Sequence, residues 1–416
     1  MKRRILSLAL CALMLLTVFL VGCGERSVDE IIADIAASAK QPYTLSLWIP
    51  TNDSTTPEAV QAVEDAINVI LRKEFSTSIE LHAIKDSEYE ATVAAKLNEI
   101  QSLLDNGATP ANMIEHKTQV VKTEEGTYET VYFPVEDTQL DIFLTRTEAD
   151  YTKYVSEGKI ASIQSFLDGA YRNLNKVIFP TLMDGIKKNG SAYGLPVNHV
   201  IGEYTLAVVD KALATEYGLS ADAATLADLN DFIVWAKDRV DVALSAAKED
   251  INEADVATFE ALVEAGCVGT SDKAAVRIVK GDFVDLENYR KDALVIKYKM
   301  PVATTEDIFS SVLVISTFSI QNNANPRAIE FLDYLNTNVE LKTLLQYGIE
   351  GVHYQLNYAE DDLDLSDPTL EIISDAYSMN TLYTGNVYKT FRGEGVTMAD
   401  SWVVAKEQNL DCAPLS

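Results

Sequence analysis

Residues able to make or break bonds are thinly spread in this sequence. Its four histidines, His82, His116, His199 and His353, stand far apart. No H-E-x-x-H, G-x-S-x-G or Walker loop gathers a base, a nucleophile or phosphate-binding glycines at a working spacing. Cys267 and Cys412 show no metal-ligand spacing, and both a disulfide and two free or buried thiols are open to them. The run EDDLDLSDP, from Glu360 to Pro368, is rich in carboxylates but lacks the glycine turn and terminal glutamate of an EF-hand loop, so it reads as a solvated acidic loop. What the sequence does offer is a strand with an unusual ending. YTLSLWIPTNDS alternates as a strand to Trp48 and then runs into Thr51, Asn52, Asp53 and Ser54. A core strand needs no such ending, whereas a strand that delivers side chains to a ligand does.

The elements that must position these residues follow a regular order. Lys2, Arg3 and Arg4 precede an apolar run from Ile5 to Leu20, and Leu-Val-Gly-Cys closes it at Cys23. This resembles a bacterial lipoprotein signal, with cleavage before Cys23 and a lipid on its thiol, rather than a plain membrane anchor. Residues 1–22 then form the signal, 23–41 a lipidated tether, and acyl chains hold the protein to the outer face of a cell membrane. TLSLWI reads as a strand, with Thr56 and Pro57 as the cap and first turn of a helix carrying Val60, Val63, Ile67, Ile70 and Leu71. SIELHAI is a second strand, and a second helix carries Tyr89, Val93, Leu97, Ile100 and Leu104 before Gly107. Strand and helix alternate, the pattern of a sheet with helices on its faces. TQVVKTEEGTYETVYF interrupts it as a β-hairpin around a Glu-Gly turn. LDIFLT then ends in Thr145, Arg146 and Thr147, a second polar strand ending. Thr225 caps a helix over TLADLNDFIVWAKDRV, residues 242–269 are acidic with weak helical periodicity, and AAVRIVKGDF, ALVIKYKMP and DIFSSVLVISTFSI read as strands.

Four stretches carry a family pattern: DIFLTRTEADYTKYVSEGKIASIQSFLD, GSAYGLPVNHVIGEYTLAVVDKALATEYGLS, TLADLNDFIVWAKD and ISTFSIQNNANPRAIEFLDYLNTNVELKTLLQYGIEGVHY. Together, and in this order, they resemble the extracellular solute-binding proteins of ABC importers, most of all the lipid-anchored, carbohydrate-type receptors, family 1. The resemblance implies an α/β fold of the two-lobed periplasmic-binding-protein (Venus-flytrap) type II, here with the β-hairpin inserted in lobe 1. Lobe 1 is expected over 42–189 plus 308–356 and lobe 2 over 193–305 plus 357–416. The crossings are expected near YGLPVN, near PVATTED and near Gln355 to Tyr358. In the family, VAKEQNLDCAPLS is usually followed by further closing helices; this chain stops at Ser416, so part of the cover of lobe 2 is expected to be missing.

The resemblance also implies a site. Sheet ends face the crevice in open α/β domains, and a sugar, with an apolar face and a ring of hydroxyls, is held by aromatic stacking plus carboxylate and amide hydrogen bonds. Trp48, Asn52 and Asp53 meet that condition, although Trp48 equally suits core packing and the other two suit turn and cap chemistry. Thr145 and Arg146 follow the next strand of the lobe, where the arginine either bridges ligand hydroxyls, pairs with an acid or is solvated. Tyr193, Asn198 and His199 lie at the first crossing. Glu350 and Tyr354 belong to YGIEGVHY, where the carboxylate also suits holding the glycine turns. Trp402 lies in the tail, as aromatic platform or helix packing.

The implied function is an extracellular substrate receptor for an oligosaccharide or glycoside, not an enzyme, a monomer that needs no cofactor and no metal and hands a small-molecule ligand to ABC permease subunits. The same fold with a peptide or another polar solute, and a surface hydrolase or adhesin on the same anchor, are the alternatives. A net charge of −29, made more negative by loss of Lys2, Arg3 and Arg4 with the signal, opposes nucleic-acid binding, which needs a basic footprint.

Overall fold

The computed structural model describes residues 42–108, 119–122, 128–131, 139–220, 222–321, 325–358, 368–393 and 398–414. The leader, Cys23, the tether and most of the acidic run at 360–368 lie outside these residues. Every residue of strand β1 (Tyr43–Thr51) after Tyr43 is buried, as befits a strand covered on both faces. Helix α1 (Pro57–Phe75) begins where expected: Thr56 Oγ1 accepts from the Ala59 amide, Pro57 occupies the first turn, and Val63, Ile67 and Leu71 are buried. Strand β2 (Thr77–Lys85) and helix α2 (Tyr89–Asp105) follow. A hairpin of its own pairs β3 (Gln119–Lys122) with β4 (Tyr128–Val131) antiparallel. Then come β5 (Ile142–Thr145), α3 (Glu148–Ser156), β6 (Leu195–Pro196), β7 (Tyr204–Asp210), α4 (Leu226–Ala236), β8 (Leu244–Ser245), α5 (Val256–Glu264), β9 (Val268–Gly269), β10 (Val276–Gly281), α6 (Phe283–Asp292), β11 (Ala293–Lys299) and β12 (Val312–Ile315). The chain closes with α7 (Asn325–Thr337), α8 (Val339–Tyr347), a small sheet of β13 (Tyr354–Asn357), β14 (Thr369–Ile372) and β15 (Arg392–Gly393), and α9 (Met398–Asp411).

Two five-stranded sheets organise these elements. The first has the order β2-β1-β5-β12-β6, with β1 parallel to both neighbours and β12 antiparallel to both of its own. Its edge at β2 is closed by side chains of α1 rather than by another strand. Asn68 donates to the Ile79 carbonyl at 2.8 Å and accepts from its amide at 2.7 Å, while Glu64 accepts from the Leu81 amide at 2.7 Å. Satisfying those groups removes a template for edge pairing. The second sheet has the order β11-β7-β10-β8-β9. Along β7 the side chains alternate: Ala207 and Val209 join a core with Leu229 and Phe232 of α4, while Tyr204, Leu206 and Val208 meet Leu286 of α6 on the other face. That is the period of two of a strand with both faces covered.

Several boundaries differ from the sequence reading. Leu195 and Pro196 of YGLPVN pair with β12, and Val197 and Ile201 are in the first core, so the chain leaves the first sheet only after Ile201. Tyr377, Met379 and Val387 are also in the first core, whereas 357–416 was expected in lobe 2 as a whole; α9 does lie against α6 and β7, through Gln408 and Asp411. The third crossing is correspondingly at 412–413, not near Gln355 to Tyr358, of which Gln355 to Asn357 belong to β13 and pair with β14. There Ala303 N donates to Ala413 O, Ala413 N to Pro301 O, and Gly202, at φ +65°, has room for no side chain: a Cβ would stand 2.8 Å from Pro301 Cβ. Three segments thus meet at one point, each too close to its neighbour for a bulkier residue at Gly202. Within DIFSSVLVISTFSI only Val312–Ile315 is strand, and Thr317–Gln321 turns helical. Residues 242–269 hold two short strands beside α5, because parallel pairing with β10 overrides a weak helical period. Cys267 and Cys412 are both buried free thiols and form no disulfide.

Gly194 shows how tightly the first sheet is closed. A Cβ there would meet the Leu313 carbonyl oxygen at 2.8 Å and methyls of Val312 and Val314 at the same distance. Since the backbone of a central strand cannot give way, Gly194→Ala is expected to cost about 1–3 kcal/mol, read as a lower urea midpoint with an unchanged slope.

Candidate functional site

Strands β1 and β5 pair only at Leu47 with Ile142 and Trp48 with Phe143, and then separate. The reason is Tyr89, the first residue of α2, which is fully buried. Its hydroxyl accepts from the Leu144 amide at 2.7 Å and donates to the Trp48 carbonyl at 3.0 Å, taking the place of a direct strand-to-strand bond. Burial pushes the phenol far above its ordinary pKa, so it stays protonated and can donate. The divergence falls where the order of the sheet reverses, β2 lying to one side of β1 and β5 to the other, the position at which open α/β sheets form a crevice.

At the strand ends lies a pocket of about 480 Å³, lined by Pro50 and Thr51 at the end of β1, Asn52 and Asp53 just after it, Asp86 and Ser87 after β2, and Asn380 and Tyr383. Asn52 and Asp53 therefore stand where the strand-ending argument puts them, and Asn52 also donates to the Ser378 carbonyl at 3.1 Å. Trp48 does not. It is 7% exposed, its indole Nε1 donates to Ser46 Oγ at 2.5 Å, and its ring lies 4.8 Å from that of His82 in the adjacent register of β2. The side chain points into the layer between sheet and helix, so its role is core packing. Burial lowers the pKa of His82 from the usual histidine range, against a smaller opposing effect of Glu80, which keeps the ring neutral beside the indole.

Arg146 reaches the same loops from the end of β5. Its guanidinium binds Asp86 at 2.5 Å, Glu90, and the Tyr383 hydroxyl at 3.0 Å, and it lies 5.5 Å from the ring centres of both Tyr89 and Tyr383. Burial opposes its charge, but the hydrogen bonds to Glu90 and Tyr383 outweigh that and raise its pKa further. The arginine is therefore committed to acids of its own lobe rather than to one across a cleft. Thr145 beside it is buried, 3.4 Å from the Val312 carbonyl.

The other candidates are dispersed. Tyr193 is half-buried, its amide donating to the Tyr151 hydroxyl. Asn198 is a junction: it accepts from Phe179 N, donates to Val177 O and Asn386 Oδ1, and its carbonyl accepts from Val387 N. His199 is buried with Nδ1 2.8 Å from Val197 O, and burial lowers its pKa. Glu350 is exposed on a turn whose Gly348 and Gly351 have positive φ, and Tyr354 is buried against Tyr347. None of these lines the pocket. Trp402 belongs to α9, and its side chain lies outside the described residues. Asp86 and Ser87 were legible by the strand-ending rule applied to SIELHAIKDS. Asn380 and Tyr383 carried no local signal, because a segment nearly 300 residues further along the chain brings them in.

No protein-family model matches the sequence, and no curated protein matches it. Among solved structures, the N-glycan transport solute binding protein (NgtS) of Streptococcus pneumoniae is 16% identical, with 90% of this chain and 84% of that one covered at a TM-score of 0.51. The chain has the two-lobed fold of the solute-binding proteins. A family 1 extracellular solute-binding protein of Alicyclobacillus acidocaldarius covers 91% and is itself covered over 88% at 12% identity and TM-score 0.49, and one of Bifidobacterium longum subsp. infantis 82% and 84% at 12% and 0.39. In a solute-binding-protein fold the first sheet is one lobe and the second sheet the other, and the pocket lies at the strand ends of the first. Among the described residues no three His, Cys, Asp or Glu side chains cluster as a metal site.

Trp48 and Asp53 now separate two roles that the sequence left joined. Trp48→Ala is expected to cost about 3–5 kcal/mol as a large side chain is removed from the core, and Asp53→Ala, on an exposed turn, to stay within about 0.5 kcal/mol. Urea denaturation of both variants measures the difference.

Proposed function

We propose that the chain is the substrate receptor of an ABC importer, binding an oligosaccharide or glycoside between its lobes, held by a lipid on Cys23 to the extracellular face of the membrane and delivering ligand to permease subunits as a monomer. The observation that carries the reading is the pocket at the ends of β1 and β2, where amides, hydroxyls, carboxylates and one aromatic converge: Thr51, Asn52, Asp53, Asp86, Ser87, Asn380 and Tyr383. These are the groups that satisfy sugar hydroxyls without a metal or a nucleophile. The neighbour with the same fold is by its description a transporter component for N-glycans. Ligand bridging both lobes would select a closed state, with the three segments at Gly202, Pro301 and Ala413 as the hinge.

A thermal-shift series on the purified chain with mannotriose, maltotriose, xylotriose, N,N′-diacetylchitobiose and a tripeptide tests this. A binding sugar at a hundred times its Kd is expected to add about 2.7 kcal/mol of stability, and Asp53→Ala or Asn380→Ala to reduce that gain. A shift with the tripeptide and none with any sugar overturns the carbohydrate reading; release of monosaccharide from a bound trisaccharide overturns the receptor reading.

A further inference from the structure

Lys342, on α8, is entirely buried, and its ammonium has no carboxylate partner among the described residues. Its Nζ donates to the Thr381 carbonyl at 3.0 Å and to Thr384 Oγ1. Burying an amine with only a carbonyl and a hydroxyl as acceptors, and no carboxylate beside it, is costly. The segment it holds is the wall of the pocket: Thr381 lies between Asn380 and Tyr383, the two lining residues that come from the far end of the sequence. The neighbouring residue Gln346 of the same helix holds that segment too, its carbonyl accepting from Met379 N at 2.9 Å and its Oε1 from Thr381 Oγ1 at 3.2 Å.

We propose that Lys342 is a positioning residue for the ligand site, which fixes Asn380 and Tyr383 from beneath and is retained for that purpose at the expense of fold stability. The inference rests on the proposed binding function for its purpose, but the clamp itself is a matter of this chain alone. Burial lowers the Lys342 pKa well below the usual lysine range, consistent with an amine whose contacts do not compensate its charge. If the amine is removed, the backbone is not orphaned: Thr384 Oγ1 stands 3.3 Å from Thr381 O and can donate to it instead. A merely structural lysine and a positioning one therefore make opposite predictions.

Lys342→Met keeps the length of the side chain and removes the donor. In the full purified chain it is expected to leave Tm unchanged or raised, while the amides of Met379, Leu382 and Tyr383 exchange with deuterium about tenfold faster and the amides of β1 do not. Affinity for mannotriose, measured by calorimetry, is expected to fall about tenfold. Thr384→Val, which leaves the lysine in place and removes one of its acceptors, is expected to loosen the same amides, and it decides the matter if Lys342→Met does not fold. A lower Tm with unchanged exchange at 379–383 overturns the positioning role. Faster exchange at 379–383 supports the clamp whether or not mannotriose binds the unmodified chain; absence of binding there counts against the carbohydrate reading alone.

Discussion

One buried hydroxyl sets the geometry from which the pocket follows. By accepting from Leu144 and donating to Trp48, Tyr89 inserts a side chain where two parallel strands would otherwise continue to pair. Each of the two backbone groups would cost about 1–3 kcal/mol if left buried and unsatisfied, so the opening of β1 from β5 is tolerated only because the phenol fills it. Beyond Trp48 the strand stays buried and paired with β2 as far as Thr51, and Asn52 and Asp53 after it reach the pocket. The same ring lies 5.5 Å from the Arg146 guanidinium, so the group that opens the strands also supports the cation that ties their loops together.

Around that opening the far end of the chain is wound as a strap. Residues 376–388 are hydrogen-bonded at Ala376 to Thr56, at Ser378 to Asn52, at Tyr377 to Leu345 and at Asn386 to Asn336 and Asn198. The strap needs a tight turn at Gly385, where φ is +87° and a Cβ would stand 3.0 Å from Leu335 Cγ, a conformation open to glycine at little cost. Its two ends have different tasks: Asn380 and Tyr383 face the pocket, while Asn386 and Val387 bind Asn198, a few residues before the crossing at Gly202. The pocket wall and the contact to Asn198, just before Gly202, are thus one continuous piece of backbone.

The sequence made the repetitive parts legible. Thr56 with Pro57, and Thr225 with Asp228, announce helix starts by local hydrogen bonding, and the structure has both caps, the second as a full capping box. The alternation of β1 announced a strand, and its polar ending announced Asn52 and Asp53 at a pocket. Trp48 was ambiguous because a tryptophan at a strand end suits both stacking and burial; what decides is the parity of the strand, which sets Ser46 and Trp48 on one face beside His82. Lobe assignment of the tail was illegible for a different reason. Tyr377, Met379 and Val387 are apolar residues in irregular backbone, and no periodicity tells which of two cores they enter. Lys342 was hidden among ordinary helix residues, since a lysine in a helix is by default a solvated one.

The charges at the pocket narrow what its chemistry can hold. Arg146 reaches these loops from the end of β5, and its donors are already occupied by Asp86, Glu90 and Tyr383. A guanidinium bound to two carboxylates offers little to a third, since a new anion would have to displace an existing partner rather than add to it. The charged residues among those lining the pocket are Asp53 and Asp86, both acidic, in a chain with a net charge of −29. An anionic group meets Asp53 and Asp86 there, with no lysine or arginine among the lining residues, whereas neutral hydroxyls find acceptors in the carboxylates and both donors and acceptors in Asn52 and Asn380. The electrostatics of the lining therefore disfavour an anionic group more than a neutral hydroxylated one, through an arginine whose work is to consume charge, not to present it.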